Sequence, residues 1–177
     1  EKARELAQAL TALSNECGVN TRALLTNMNT PLGRAAGNWL EVRESVACLT
    51  PQPASRAGNN APAPAADLRD LTLACAAHLL LQTGKAESFN AARQRAEACL
   101  ASGKPLAKWN EMVAAQGADL AAFQRKLALD HTAPVVWPLK APGAGFVSRC
   151  DARIIGEVIR ELGGGRLTKE SEINYDV

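Results

Sequence analysis

The fold of this chain is decided by residues 24–46, which read Leu-Leu-Thr-Asn-Met-Asn-Thr-Pro-Leu-Gly-Arg-Ala-Ala-Gly-Asn-Trp-Leu-Glu-Val-Arg-Glu-Ser-Val. The apolar run that ends at Leu25 predicts the end of a buried strand, and the proline and glycine of residues 28–33 predict a turn after it. Asn38 precedes Glu41 by three residues, which is the spacing of a capping box and predicts a helix start. A strand that leads through a loop into a helix is where α/β proteins usually bind ligands.

The composition argues against several classes of protein. The chain has 177 residues, a net charge of +2 and 4% aromatic residues, so we expect a helix-rich protein without the basic stripe that nucleic acid requires. The longest apolar segment, residues 71–81, is too short to span a bilayer, and no signal sequence opens the chain. We therefore expect a cytoplasmic protein without membrane contact. Its five scattered cysteines lack CxxC spacing, which favours reduced thiols over a disulfide or zinc framework.

Both ends of the sequence indicate a fragment of a longer protein. The leucines at positions 6, 10 and 13 place the start of the chain inside a helical pattern with no cap before it. The last residues, 173–177, predict a strand that has only begun. This expectation governs the functional interpretation.

Residues 1–131 are predicted to form the C-terminal part of an α/β domain with a helical layer. A strand is expected at 20–26, and helices at 1–16, 38–49, 67–83, 87–100, 105–116 and 119–129. Asp67 is the predicted cap of the third helix, with residues 68, 71, 75, 78 and 79 on its buried face. Residues 51–66, with four prolines and two asparagines, are predicted to be a flexible loop.

Residues 132–177 are predicted to begin a small, incomplete α+β domain at the C-terminus. Residues 134–139 and 146–148 favour two strands around a Pro-Gly turn. Asp151 is the expected cap of a helix that directs residues 154, 155, 158, 159 and 162 inward and ends at Gly163–Gly165. The predicted fold class is thus α/β, followed by the start of an α+β domain.

Several groups that resemble functional residues are better explained as structural ones. Gly163-Gly-Gly-Arg166 follows a helix instead of opening one, which favours a turn over a phosphate cradle. His78 lies on an apolar helical stripe, which favours a core or interface histidine over a catalytic base. His131 is expected to be a hinge residue, and the spacing neither supports nor excludes a catalytic triad.

The loop before the second helix offers oxygen ligands. Between Leu32 and Gly37 two glycines and small side chains allow carbonyl oxygens to turn inward, and Glu41 and Glu44 follow on the helix. Backbone carbonyls with a carboxylate suit a hard, weakly charged cation. The alternative is a plain capped helix with exposed carboxylates.

Several motifs in order resemble the thymidine and pyrimidine-nucleoside phosphorylases. They are Met28-Asn-Thr-Pro-Leu-Gly-Arg-Ala-Ala-Gly-Asn-Trp-Leu-Glu-Val-Arg-Glu44, Asp67-Leu-Arg-Asp-Leu-Thr-Leu, Met112-Val-Ala-Ala-Gln-Gly117, Gly145-Phe-Val-Ser, Asp151-Ala-Arg-Ile-Ile-Gly156 and Leu162-Gly-Gly-Gly-Arg166. The resemblance covers nearly the whole chain except residues 51–66, which resemble an insertion. Trp39 stands where such enzymes commonly have a small residue, and we expect it to alter local packing.

The resemblance implies a pentosyltransferase. Such enzymes use phosphate to convert a pyrimidine nucleoside into free base and a pentose 1-phosphate, without an organic cofactor, as cytoplasmic homodimers. Their phosphate and base sites lie before the segment seen here, so we expect no catalytic residue in this chain and no activity from it alone. The alternatives are a nucleoside-monophosphate phosphorylase of the same family and a non-catalytic truncated domain.

The resemblance also implies half of a potassium site. Some of these enzymes bind the ion through backbone atoms of a leucine and an alanine in this loop and a glutamate on the next helix. By motif position these residues are Leu32, Ala35 and Glu44. The remaining ligands come from the phosphate loop, so we expect the ion to require the intact protein.

Overall fold

The computed structural model describes residues 1–51, 65–129 and 131–177. Seven α-helices lie within these ranges, and the last continues into a π-helical turn at Arg160–Gly164. The helices are α1 (Lys2–Glu16), α2 (Asn38–Leu49), α3 (Ala66–Gln82), α4 (Phe89–Ala101), α5 (Lys104–Ala115), α6 (Leu120–Leu127) and α7 (Ala152–Ile159). None of the helices in these ranges is both long and apolar enough to cross a membrane.

The predicted strands do not form in the part of the chain that the structure describes. Residues 20–26, 134–139 and 146–148 all lie outside regular secondary structure. A strand requires a neighbour that completes its ladder of hydrogen bonds, and none of the described segments supplies one. The apolar side chains therefore stay exposed, as at Trp137 (85%) and Phe146 (102%). The strands predicted at 20–26, 134–139 and 146–148 are thus absent from the described residues, and most of the predicted flexible loop at 51–66 lies outside them.

Among the described residues, the best-packed part is the pair α3 and α4. Leu73 of α3 packs with Ala96 and Leu100 of α4, and the half-buried side chains of Leu49, Ala76 and Leu80 close around them. Ala77 and Ala92 are completely buried, and such small residues let helix backbones approach closely. The face of α3 that faces this core is not the predicted one, because Leu79 is 62% exposed and Cys75 is also exposed.

Most helix starts agree with the sequence. Asp119 and Asp151 each accept two backbone N–H groups from the first turns of α6 and α7, and Ser88 accepts one from α4. These are the contacts of N-cap residues, and the cap predicted at Asp151 is confirmed. Ser88 begins α4 two residues later than predicted.

Two helices expose apolar faces. The α1 leucines at 6, 10 and 13 are 61%, 54% and 59% exposed. On α7, Ile154 and Val158 are 55% and 47% exposed, so the inward packing predicted for this helix was wrong for these two residues. Without a sheet among the described residues, these side chains have no surface on which to pack.

The C-terminal segment folds back onto the loop before α2. The Ala152 amide donates to the Asn29 carbonyl at 3.0 Å, which ties the start of α7 to this loop. The Asn38 side-chain amide donates to the Gly164 carbonyl at 2.7 Å. The C-terminal segment therefore holds the loop at residues 27–38 near both of its ends.

Candidate functional site

The start of α2 differs from the predicted capping box by one residue. Gly37, not Asn38, is the N-cap, and the Asn38 side chain is instead bonded to Gly164. Gly37 has a φ of 132°, and a Cβ there would lie 2.4 Å from the Val177 carbonyl oxygen. The glutamate half of the capping box does form, because Glu41 Oε1 accepts the N–H of the N-cap residue, Gly37, at 3.1 Å.

Glu44 lies one helical turn further along α2 and reaches back to the loop. Its Oε1 accepts the Arg34 N–H at 2.7 Å, and its Oε2 accepts the Ala35 N–H at 3.3 Å. The carboxylate is half-buried. Such bonds from N–H groups to a carboxylate are stronger than those between neutral groups, so Glu44 fixes the shape of the loop.

Asp67 brings a second carboxylate to the same loop. It lies in the first turn of α3, whose N-cap is Ala65, so the predicted capping role of Asp67 was wrong. Its Oδ2 instead accepts the Gly33 N–H at 3.1 Å, and its Oδ1 accepts the Leu68 N–H at 3.0 Å. The Gly33 bond, followed by the Leu68 bond, lowers the pKa of the Asp67 carboxyl below its usual value.

Three carboxylates thus receive four backbone N–H groups of residues 33–37. Consecutive N–H groups that point into one concavity form a nest for anions, and here the anions belong to the protein itself. The spacing of Glu41 and Glu44 along α2 predicts that both can reach the loop. It does not predict this for Asp67, which is 34 residues away from Gly33 in the sequence. Sequence reasoning therefore missed the third carboxylate.

The arrangement fits the predicted cation ligands in part. Glu44 contacts Ala35, and Leu32 adjoins Gly33 in the same loop. A carboxylate offers about four acceptor positions, so the two N–H bonds leave Glu44 able to coordinate a cation as well. No group of three His, Cys, Asp or Glu side chains suited to a metal occurs within the described ranges.

A cavity of about 710 Å³ adjoins this loop. Residues 28–30 form one side of it, and residues 147–151 and 153 form the other. Its two arginines have acidic partners, since Arg149 bonds to Asp151 at 2.5 Å and Arg153 to Glu157 at 2.9 Å. Both guanidinium groups thus already have a carboxylate partner within the protein.

Other residues that the sequence singled out lie in structural surroundings. The His78 ring is tilted against Phe89 with centroids 5.0 Å apart, and His131 Nδ1 lies 3.1 Å from the Ala133 carbonyl. Gly163 adopts a φ of 96° where the π-helical turn ends, and Gly164 is buried. The glycine run therefore makes a turn, and the contacts given for the two histidines are local ones with Phe89 and the Ala133 carbonyl.

Trp39 occupies a specific aromatic environment at the start of α2. It is 8% exposed and meets Phe123 edge-on, with ring centroids 5.8 Å apart. Lys126 Nζ lies 4.6 Å from the centre of the Trp39 ring, within range of a cation–π contact. The expected influence of Trp39 on packing thus takes the form of a contact between α2 and α6.

Comparisons with known proteins match the sequence of this chain to a family. Residues 1–106 match the family described as "Glycosyl transferase family, a/b domain". The chain is 38% identical to a thymidine phosphorylase of Burkholderia cenocepacia (strain J2315), 34% identical to one of Agrobacterium fabrum, and 33% identical to a pyrimidine-nucleoside phosphorylase of Staphylococcus haemolyticus. The alignments cover 100%, 98% and 100% of this chain and 38%, 37% and 38% of the relatives. The chain therefore spans less than two fifths of the length of these relatives.

Proposed function

The chain belongs to the glycosyl transferase family whose a/b domain it matches over residues 1–106, and we propose from this premise that it forms part of a thymidine or pyrimidine-nucleoside phosphorylase. The observation that carries the proposal is the match of the whole chain, at 38% identity, to a thymidine phosphorylase. The motifs at residues 28–44 and 162–166, which contact each other through Asn38 and Gly164, add support.

The proposed reaction is a reversible phosphorolysis. A phosphate oxygen forms a bond to the anomeric carbon of the nucleoside as the bond between that carbon and the pyrimidine nitrogen breaks. The electron pair of the broken bond leaves with the base, which gains the proton that hydrogen phosphate loses, and the products are free base and a pentose 1-phosphate. The transition state resembles an oxocarbenium ion, so the protein must position phosphate and stabilise the charge that develops on the base.

In this proposal, residues of the chain support the phosphate site without contacting the reacting atoms. Glu44, with the backbone oxygens of Leu32 and Ala35, would supply part of a potassium site. The bound ion would contribute a fixed positive charge beside the phosphate-binding loop of the intact protein. The loop is already held by Glu44 and Asp67, so its backbone is ordered before an ion arrives. We further propose that the intact protein is a cytoplasmic homodimer.

Incubation of the intact protein with thymidine and phosphate tests this function. We expect thymine and deoxyribose 1-phosphate to appear in equal amounts, and no base release when phosphate is omitted. The 177-residue chain, assayed in parallel, is expected to release no base.

Each other outcome of the assay identifies an alternative. Base release from a nucleoside 5′-monophosphate but not from thymidine or uridine would favour the nucleoside-monophosphate phosphorylase. No release from any of these substrates would favour the non-catalytic domain. Release by the 177-residue chain alone would contradict the expectation that the catalytic residues lie elsewhere.

A further inference from the structure

The Leu32 carbonyl is the predicted cation ligand whose direction follows from the described contacts. The Leu32 carbonyl and the Gly33 N–H belong to one planar peptide unit, and this peptide bond is trans. In a trans peptide the carbonyl and the N–H point in opposite directions. Because the Gly33 N–H donates to Asp67 Oδ2 at 3.1 Å, the Leu32 carbonyl oxygen must point away from Asp67.

We propose that Asp67 is a positioning residue of the potassium site: it holds the Gly33 amide and thereby sets the direction of the Leu32 carbonyl. The inference rests on the proposed function, in which Leu32 supplies a ligand. Asp67 itself does not coordinate the ion in this proposal, because its carboxylate lies at the N–H edge of the peptide unit, opposite the edge that carries the Leu32 oxygen.

The contacts of the neighbouring peptides explain why Asp67 is needed. Glu44 accepts the N–H groups of Arg34 and Ala35, which fixes the two peptide planes that follow Gly33. It does not fix the plane between Leu32 and Gly33. Gly33 has a φ of +79°, and a glycine permits rotation of the adjoining peptide at low energetic cost. Asp67 is the described group that holds this remaining plane.

Asp67 is also well placed for such a role. Its second oxygen accepts the Leu68 N–H at 3.0 Å, so the carboxylate is anchored to α3 on one side while it holds the loop on the other. The helix α3 is in turn packed against α4 through Leu73. The direction of the Leu32 carbonyl thus depends on a helix that contributes no ligand.

Potassium-specific stabilisation of the intact protein tests this inference. The thermal midpoint is measured while potassium chloride replaces sodium chloride at constant total salt, and the potassium concentration that gives half of the rise is compared between variants. Asp67→Ala is expected to raise this concentration about fivefold, which corresponds to the loss of one hydrogen bond. Asp67→Asn keeps an oxygen acceptor, so a smaller increase is expected.

Asp70→Ala is the matched control. Asp70 lies one turn further along α3 and bonds to Arg93 at 2.7 Å, so its loss removes the same group from the same helix without touching the loop. The half-saturating potassium concentration is expected to stay at the wild-type value. Equal increases in Asp67→Ala and Asp70→Ala would overturn the inference. A lower midpoint in Asp67→Ala without a change in that concentration would also overturn it, because the role would then be structural only.

Failure of the potassium site and failure of the proposed phosphorolysis give results that differ from a failure of the Asp67 role. If the wild-type midpoint does not respond specifically to potassium, or if Glu44→Ala keeps the full response, the loop is not the cation site and both ideas fall. If Glu44→Ala loses the response while Asp67→Ala keeps it, only the role of Asp67 is rejected. Phosphorolysis of thymidine, measured on the same samples, tests the proposed catalytic activity independently of the potassium response.

Discussion

Gly33 and Glu44 are so close that only a glycine fits between the loop and α2: a Cβ on Gly33 would lie 2.3 Å from Glu44 Oε2. The same glycine has a φ of +79°, a backbone conformation that other residues adopt at a cost. The loop and the carboxylate are therefore matched in shape as well as in hydrogen bonding. This relationship gives the first prediction.

Gly33→Ala is expected to lower the thermal midpoint of the intact protein and to weaken its response to potassium. The added methyl group displaces the Glu44 carboxylate, so the hydrogen bonds to Arg34 and Ala35 are lost in addition to the strain at positive φ. Together these effects are expected to lower the free energy of unfolding by about 2–4 kcal/mol. Gly84→Ala is the control, because Gly84 has a φ of +65° and open space around it. Equal losses in the two variants would show that backbone strain alone is responsible.

Glu44→Ala is expected to reduce both the stability of the loop and the potassium dependence of phosphorolysis. The variant leaves two backbone N–H groups without their acceptor, which costs about 1–3 kcal/mol for partly buried groups. Glu44→Gln keeps an acceptor for one N–H group but loses the charge. It should therefore regain part of the stability and little of the potassium dependence. Unchanged potassium dependence in Glu44→Ala would reject Glu44 as a ligand.

Asp67 is expected to give the protein an acid-dependent component of stability. Its pKa is lowered in the folded state by the Gly33 N–H, so its stabilising effect is complete above the pKa of the unfolded chain, about 4. The effect is lost as the pH falls through the lower pKa of the folded state. The difference in thermal midpoint between wild type and Asp67→Asn should consequently shrink as the pH is lowered from 6 towards 3. A difference that is constant over this range would contradict the assigned bond.

Trp39→Ala is expected to be among the most destabilising single changes in the described part of the chain. It removes a buried ring together with its contacts to Phe123 and Lys126. We expect the free energy of unfolding to fall by about 3 kcal/mol. Trp137 supplies the comparison, since it is 85% exposed and its replacement by alanine should change the midpoint of the 177-residue chain little. The measurement is thermal unfolding followed by circular dichroism, and similar losses in both variants would contradict the burial.

The sequence predicted the helices well because their signals are local. Aspartates at positions 119 and 151 lie directly before apolar helical patterns, and a side chain at that position can bond only to the turn that follows it. The same locality explains the two errors at helix starts. Asn38 and Asp67 have the chemistry of caps, but their side chains reach distant backbone groups at Gly164 and Gly33 instead.

The predicted strands show what local sequence signals cannot establish. An apolar run such as Ala23-Leu-Leu25 records which segment is able to form a strand, but the hydrogen bonds of a strand depend on a neighbour that the run does not specify. For the same reason, the sequence predicted only part of the candidate site. Glu41 and Glu44 follow from helical spacing, whereas the contact between Asp67 and Gly33 depends on how α3 is placed against the loop.

The bond between Asn38 and Gly164 has a kinetic consequence. Its partners are 126 residues apart in the chain, while the contacts within α3 and α4 join near neighbours in sequence. Contacts that close long segments carry a larger entropic cost and tend to form late in folding. We therefore expect the α3–α4 hairpin to be protected from amide hydrogen exchange early during refolding. The loop around Gly33 should gain protection last, so that this region acquires its shape only when synthesis has passed residue 164.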